Sequence, residues 1–313
     1  MTGFLTTYDG ALWQLPPLLS WEILQTDGDG CGSAQVTFVY EPKRLSVLKN
    51  GAFLRLEDTA TRFYGVVDEV SARLGEDGRT VTLCCRTLQA LLMDNELRAT
   101  RFSAASLSDV LQRFVYPFGV AKVIPASMGQ VSKFAVETGN TAWQALCGFC
   151  RHAGGGEPRF TADGTLVFGE EDGILTLDES KISSAEVRRC AYGLIGRQIV
   201  VSAGYEDVEI EEREALLLRG GKQKVAMRMG STVKADWRTA AQRVGESARE
   251  EETITLLVVG DLSAVPTQRV SCSLPQMGIA GTYRLRRVKT ECSLLHGITT
   301  ELTLEGGCTD VAV

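Results

Sequence analysis

The feature that most constrains this fold is a set of short runs in which apolar and polar residues alternate, recurring towards both ends of the chain. R-T-V-T-L-C-C-R at 79–86 is the clearest. Side chains along an extended strand point to opposite faces in turn, so a period of two marks a strand with one face buried. Q-V-T-F-V-Y (35–40), A-F-L-R-L-E-D (52–58) and R-F-Y-G-V-V-D-E-V (62–70) carry related β-branched and aromatic patterns, and G-E-D-G (75–78) supplies the turn before 79–86. The first ~90 residues therefore read as β-structure containing a hairpin.

Beyond residue 87 the period lengthens to about 3.6. L-Q-A-L-L-M (88–93) is a short helical piece. S-L-S-D-V-L-Q-R-F-V (106–115) places Leu107, Val110, Leu111 and Phe114 on one face, with Ser106 as N-cap and Pro117 and Gly119 as terminators. A second helix, T-A-W-Q-A-L-C-G-F-C-R-H-A (141–153), is capped by Asn140 or Thr141 and stopped by Gly154 to Gly156. P-R-F-T-A-D-G-T-L-V-F (158–168) reads as a hairpin turning at Asp163–Gly164.

Strand patterns resume at 194–203, 207–211 and 224–229, then at 253–259, 268–274, 282–288 and 298–305, with one helix at 235–249. At roughly 100–200 residues per domain, a chain of 313 residues accommodates a β domain at 1–93, an α/β insertion at 94–178 and a second β domain at 179–313. A repeat supports the division. G-V-V-D-E-V (65–70) followed by T-V-T-L (80–83) resembles G-T-Y-R-L-R-R-V (281–288) followed by T-E-L-T-L (300–304).

Composition narrows the function. A net charge of −6 leaves no basic footprint for phosphate contact, so specific nucleic-acid binding is not expected. No run of about 18 apolar residues exists, so no membrane span is expected. The opening M-T-G-F-L-T-T-Y-D-G lacks the features of a signal peptide. Nine scattered cysteines favour reduced thiols in a cytosol-like compartment. Only two histidines occur, His152 and His296, which lowers the expectation of hydrolase or metal chemistry.

Cys147 and Cys150 form a C-x-x-C with His152 two places on. Redox use needs the first thiol at a helix N-terminus, where the dipole stabilises a thiolate. Here the pair falls in the middle and last turn of the expected helix, on one face with Trp143 and Leu146. Core packing is the favoured reading, with a zinc site or a thiol function as alternatives. D-G-D-G-C-G-S (27–33) lacks the lysine of a P-loop and the carboxylate spacing of a calcium loop, and reads as a hairpin loop. The acidic runs at Glu170–Asp172, Glu206–Glu214 and Glu250–Glu252 read as solvated faces. In the middle run, strand alternation puts Glu209 and Glu211 opposite Val208 and Ile210. No G-x-S-x-G is present. No catalytic, cofactor-binding or metal-binding residue is assigned, and no cofactor is expected.

The stretch from about 50 to 119 carries a resemblance. F-L-R-L-E-D, R-F-Y-G-V-V-D-E-V, G-R-T-V-T-L-C-C-R-T-L-Q-A-L-L-M-D-N-E and S-L-S-D-V-L-Q-R-F-V-Y-P-F-G follow one another as in the baseplate hub proteins of contractile phage tails and related injection systems. Those proteins pair a G-V-V-like strand with a return strand ending in R-x-x-x-x-L-L-x-D-N. The later W-x-x-L and dG-x-L-x-F unit is matched by Trp143, Leu146, Asp163, Gly164, Leu166 and Phe168. The resemblance implies a mainly β fold, with two tail-tube-like β-barrel domains flanking a small α/β insertion domain. It implies a non-enzymatic homotrimer adapting the sixfold tail tube to the threefold central spike. Expected partners are the spike, the tail tube or tube initiator, the tape measure protein and other baseplate proteins. The expected location is the virion tail baseplate or an injection particle, assembled in the bacterial host cytoplasm. An acidic chain also suits a channel through which DNA passes without adhering.

Two alternatives stand beside the hub. One is a tail-associated peptidoglycan hydrolase using Asp163 or Glu170, weakened by a chain that ends directly after its last strand. The other is a glycan- or peptide-binding module built on the insertion.

Overall fold

The structure, a computed structural model, describes residues 1–27, 30–40, 42–75, 78–190, 192–201, 208–211, 225–229, 240–241, 243–245, 247, 252–293 and 297–306. It is mainly β and divides into two compact units. The first comprises Met1–Asp172, Gly260–Thr267 and Arg287–Thr300; the second comprises the described parts of 173–259, 268–286 and 301–313.

Seven strands open the first unit: β1 (Thr2–Thr7), β2 (Leu12–Gln14), β3 (Leu18–Thr26), β4 (Ser33–Val39), β5 (Gly51–Glu57), β6 (Thr61–Gly75) and β7 (Gly78–Thr87). They pair antiparallel in the order β3–β4–β7–β6–β5–β1–β2, and residues 287–292 pair with β3 on its other side. The alternation anticipated from sequence is realised. β7 buries Val81, Leu83 and Cys85, and β4 buries Ala34, Val36 and Phe38. Leu5, Leu54, Leu56 and Phe63 join them, and Leu48 enters the same core from the short helix α1 (Leu45–Lys49). Each of the valine, leucine and phenylalanine side chains contributes about 1.5–3 kcal/mol on leaving water. Gly65 is obligatory in this pairing, because a Cβ there would lie 2.0 Å from the Arg86 carbonyl oxygen.

The closed barrels implied by the resemblance are not seen among the described residues. The strand path is open at β2, which is three residues long and pairs only with β1.

A second core occupies the same unit, built by α2 (Gln89–Met93), α3 (Leu107–Phe114), α4 (Ala142–Ala153) and the hairpin Pro158–Phe160 with Leu166–Phe168. Leu107, Val110, Leu111 and Phe114 are buried at their expected spacing. Both longer helices begin in capping boxes. Ser106 reciprocates with Asp109 and Thr141 with Gln144, so Thr141 rather than Asn140 is the cap. Gly154, at φ 72°, ends α4. Phe114, Phe102, Phe134 and Phe149 form a chain of ring contacts through this core.

In the second unit, Ile182–Arg189 pairs antiparallel with Glu252–Val259. Arg269–Leu274 lies between Ile174–Thr176, in parallel, and the first half of Ile279–Ser293, antiparallel. A small sheet orders Val208–Glu211, Arg197–Val201 and Val225–Met229. Ile254, Leu256, Val270, Leu285, Leu302 and Leu304 are buried. Arg284 Nη1 meets Glu305 Oε1 at 2.9 Å, with both side chains largely enclosed.

The repeat is visible in the strands. β6 and Ile279–Ser293 each run 15 residues, and each lies beside its return strand, β7 or Gly297–Glu305. Of the expected helix at 235–249, residues 240–241, 243–245 and 247 are described, as helix, and the rest lie outside the described residues. So do Gly28 and Asp29 of the glycine-rich stretch, Glu76 and Asp77 of the turn, His296, Glu250 and Glu251. In the middle acidic run only 208–211 are described.

Candidate functional site

The C-x-x-C lies inside α4. Cys147 is in mid-helix and Cys150 in the last turn, both buried with Trp143 and Leu146. Burial pushes the Cys150 thiol up to about 12, well away from a reactive thiolate, against the opposing charge of Arg151. The Cys150 carbonyl accepts a hydrogen bond from the Gly155 N–H at 3.0 Å, which closes the helix. His152 Nδ1 lies 2.6 Å from the Gly148 carbonyl oxygen and its ring packs edge-on to Phe134. Among the described residues no group of three His, Cys, Asp or Glu side chains is arranged to hold a metal ion.

The carboxylates weighed for hydrolysis are placed apart in role. Asp163 serves its own turn, accepting from Thr161 Oγ1 at 2.6 Å and from the Thr165 N–H and hydroxyl. These bonds, Thr161 first, hold its carboxyl below the ordinary range. Glu170 is exposed. Glu209 pairs with Arg197 along the small sheet, and Ile210 packs with Val200 and Ala240 on the other side.

The R-x-x-x-x-L-L-x-D-N residues come together as a clamp. Arg86, at the end of β7, donates through Nε and Nη2 to Asp68 of β6 at 2.6 and 3.1 Å. Its Nη1 and Nη2 also reach Asp94, the C-cap of α2, at 3.0 and 2.6 Å. The two carboxylates raise the guanidinium's pKa, and the Arg86 hydrogen bonds lower that of Asp94. Leu92 of the same motif is fully buried in the second core. Asn95 Nδ2 donates to the Leu91 carbonyl at 2.7 Å, and the Asn95 carbonyl receives the Ala142 N–H at the start of α4. One short motif thus ties the β sheet to the helical core.

A cavity of about 400 Å³ opens within the first unit, lined by Phe63, Gln89, Arg159, Phe160, Thr161 and Pro266 among others. Arg159 Nε donates to the Gly169 carbonyl at 2.9 Å and Nη2 to Glu171 at 2.5 Å. Its Nη1 is buried and meets no acceptor from the protein. Arg62 is held by Asp261 at 2.5 Å. Thr267, at the left-handed φ of 77°, accepts the Glu171 N–H at 2.8 Å and fixes that segment. Sequence inspection passes over this site. Its walls come from positions between 25 and 266, and Arg159 carries no local signal in P-R-F.

The sequence matches no protein-family profile and no curated protein. Solved structures do match. A tail protein from Neisseria meningitidis MC58 superposes with TM-score 0.78 at 16% identity, covering 97% of this chain and 96% of its own. The 43 kDa tail protein of prophage MuSo2 from Shewanella oneidensis gives 0.77 at 16% identity, covering 97% and 98%. An Escherichia coli component of the type VI secretion system, itself described as similar to the T4 tail proteins gp27 and gp5, gives 0.55 at 12% identity, covering 93% and 74%. Over nearly its whole length, this chain has the fold of these two tail proteins, one of them from a prophage.

Proposed function

We propose that the chain is a structural, non-enzymatic hub subunit of a contractile tail or injection-system baseplate. It works as a homotrimer in which two tail-tube-like β modules per chain present six similar positions to the tube and three to the central spike. An interface with sixfold character on one side and threefold on the other needs one subunit to supply two quasi-equivalent elements. The carrying observation is the near full-length likeness to two tail proteins, one of them from a prophage. The paired 15-residue strands with their return strands support the two-module reading. The separate core around α3 and α4 supports an insertion at 94–178 between β modules at 1–93 and 179–313.

The partners in this reading are the spike below, the tube or tube initiator above, the tape measure protein and neighbouring baseplate proteins. The chain resides in the tail or particle. Co-expression with a trimeric central spike protein of the same tail or particle, followed by light scattering on the purified product, tests the proposal. Three chains per trimeric spike is the expected mass. A chain that stays monomeric and passes through a spike affinity column contradicts it.

A further inference from the structure

The 400 Å³ cavity is within the size range of ligand sites, and its lining combines an apolar wall with threonine, glutamine and charged side chains. Phe63, Phe160, Val265 and Pro266 supply the apolar wall. The polar group that stands out is Arg159, whose Nη1 is buried without a protein acceptor. A buried donor left unsatisfied costs about 1–3 kcal/mol, so an acceptor placed there is favoured.

Charge decides what kind of acceptor. Glu171 already neutralises Arg159 at 2.5 Å, and Asp163 also lines the wall. Arg62, also on the wall, is held by Asp261, and Asp163 lies 3.8 Å from Lys122. An entering carboxylate therefore finds these cations already paired, whereas a neutral carbonyl oxygen receives the N–H without adding an unpaired charge. Shape narrows the class further. A second cavity of about 220 Å³ shares Gln25, Ala60, Thr61, Arg62, Ala162 and Val265 with the first, so the two adjoin along a common wall as parts of one groove. An extended peptide offers what such a groove takes, with carbonyls at regular intervals between apolar side chains.

We infer that this groove binds an uncharged, apolar peptide segment in extended form, with one backbone carbonyl received by Arg159. The site stands on the geometry of the first unit and does not depend on the hub reading.

The test uses the full chain, methyl-labelled at Ile, Leu and Val, titrated with N-acetyl-valyl-leucinamide and followed by NMR. Saturable shifts centred on the Val265 methyls are expected. Arg159→Met, which removes the donor, and Ala162→Trp, which fills the shared wall and leaves the Arg159–Glu171 pair intact, each weaken the apparent affinity at least tenfold. The same dipeptide with a free carboxylate binds more weakly than the amide. No shift at Val265, equal binding by Ala162→Trp, or tighter binding of the acid overturns the proposal. The first outcome leaves an ordered water as the partner of Nη1, and the last makes the groove an anion site. The assay reads the isolated chain, so failure to form trimers with a spike leaves its result unaffected.

Discussion

At the scale of single residues, the loudest chemical signal resolves into structure. The C-x-x-C is the packed end of a helix. Replacing Cys147 or Cys150 by alanine is expected to cost ~1 kcal/mol each, as for other small core truncations, measured by urea unfolding. The Cys150 thiol also sets a pH dependence. Its pKa rises from an ordinary 9.0 to about 12 on folding. The stability this provides is therefore complete below pH 9 and is lost as pH rises towards 12, because the unfolded chain releases its proton first. Alkaline melts of Cys150→Ala should show a shallower decline than those of the parent. Arg86 is legible in the sequence only as part of a family motif. The structure shows why its type matters, since a flat fork reaches Asp68 and Asp94 together and an ammonium does not. Arg86→Lys is expected to lose about 1 kcal/mol after allowance for the exposure of the pairs, read from thermal melts.

At the scale of elements, legibility follows exposure. β4, β5 and β7 are readable because one face of each is buried and the other is not. The sequence pattern of β6 stops at 70, whereas the strand runs to Gly75. Residues 71–75 are exposed on both faces, so they carry no apolar period. Ile182–Arg189 gives no strand signal because none of its residues is fully buried and only Ile182, Ala185 and Val187 are half-buried. The pattern of β1 is diluted by a glycine and three threonines. Helices are easier, because capping boxes and stripes coincide. Thr141→Ala is expected to lower stability by ~1 kcal/mol. Two glycines separate local propensity from close approach. Gly148 sits within α4 with open space where an alanine methyl would stand, and Gly148→Ala should raise stability by up to ~1 kcal/mol. Gly65→Ala would drive a methyl into the Arg86 carbonyl and should abolish soluble, folded protein. Circular dichroism melts of the pair check both signs.

At the scale of the molecule, the β-rich character and the helices α3 and α4 are legible, because each depends on local periodicity. The strand order and the groove beside Arg159 are not. The order joins β3 to residues 287–292, and the groove gathers positions from 25 to 266, so both need contacts that no local pattern encodes. The repeat bridges the two levels. Each of two degenerate hairpin motifs contains a 15-residue strand, and in the proposed hub reading these strands belong to the two quasi-equivalent modules. Cryo-electron microscopy of the chain co-purified with its spike tests that claim most directly. The account predicts a ring of three chains with six similar β modules facing the tube side and strict threefold contacts on the spike side. A ring of six chains, or a spike complex holding a single copy, would contradict it.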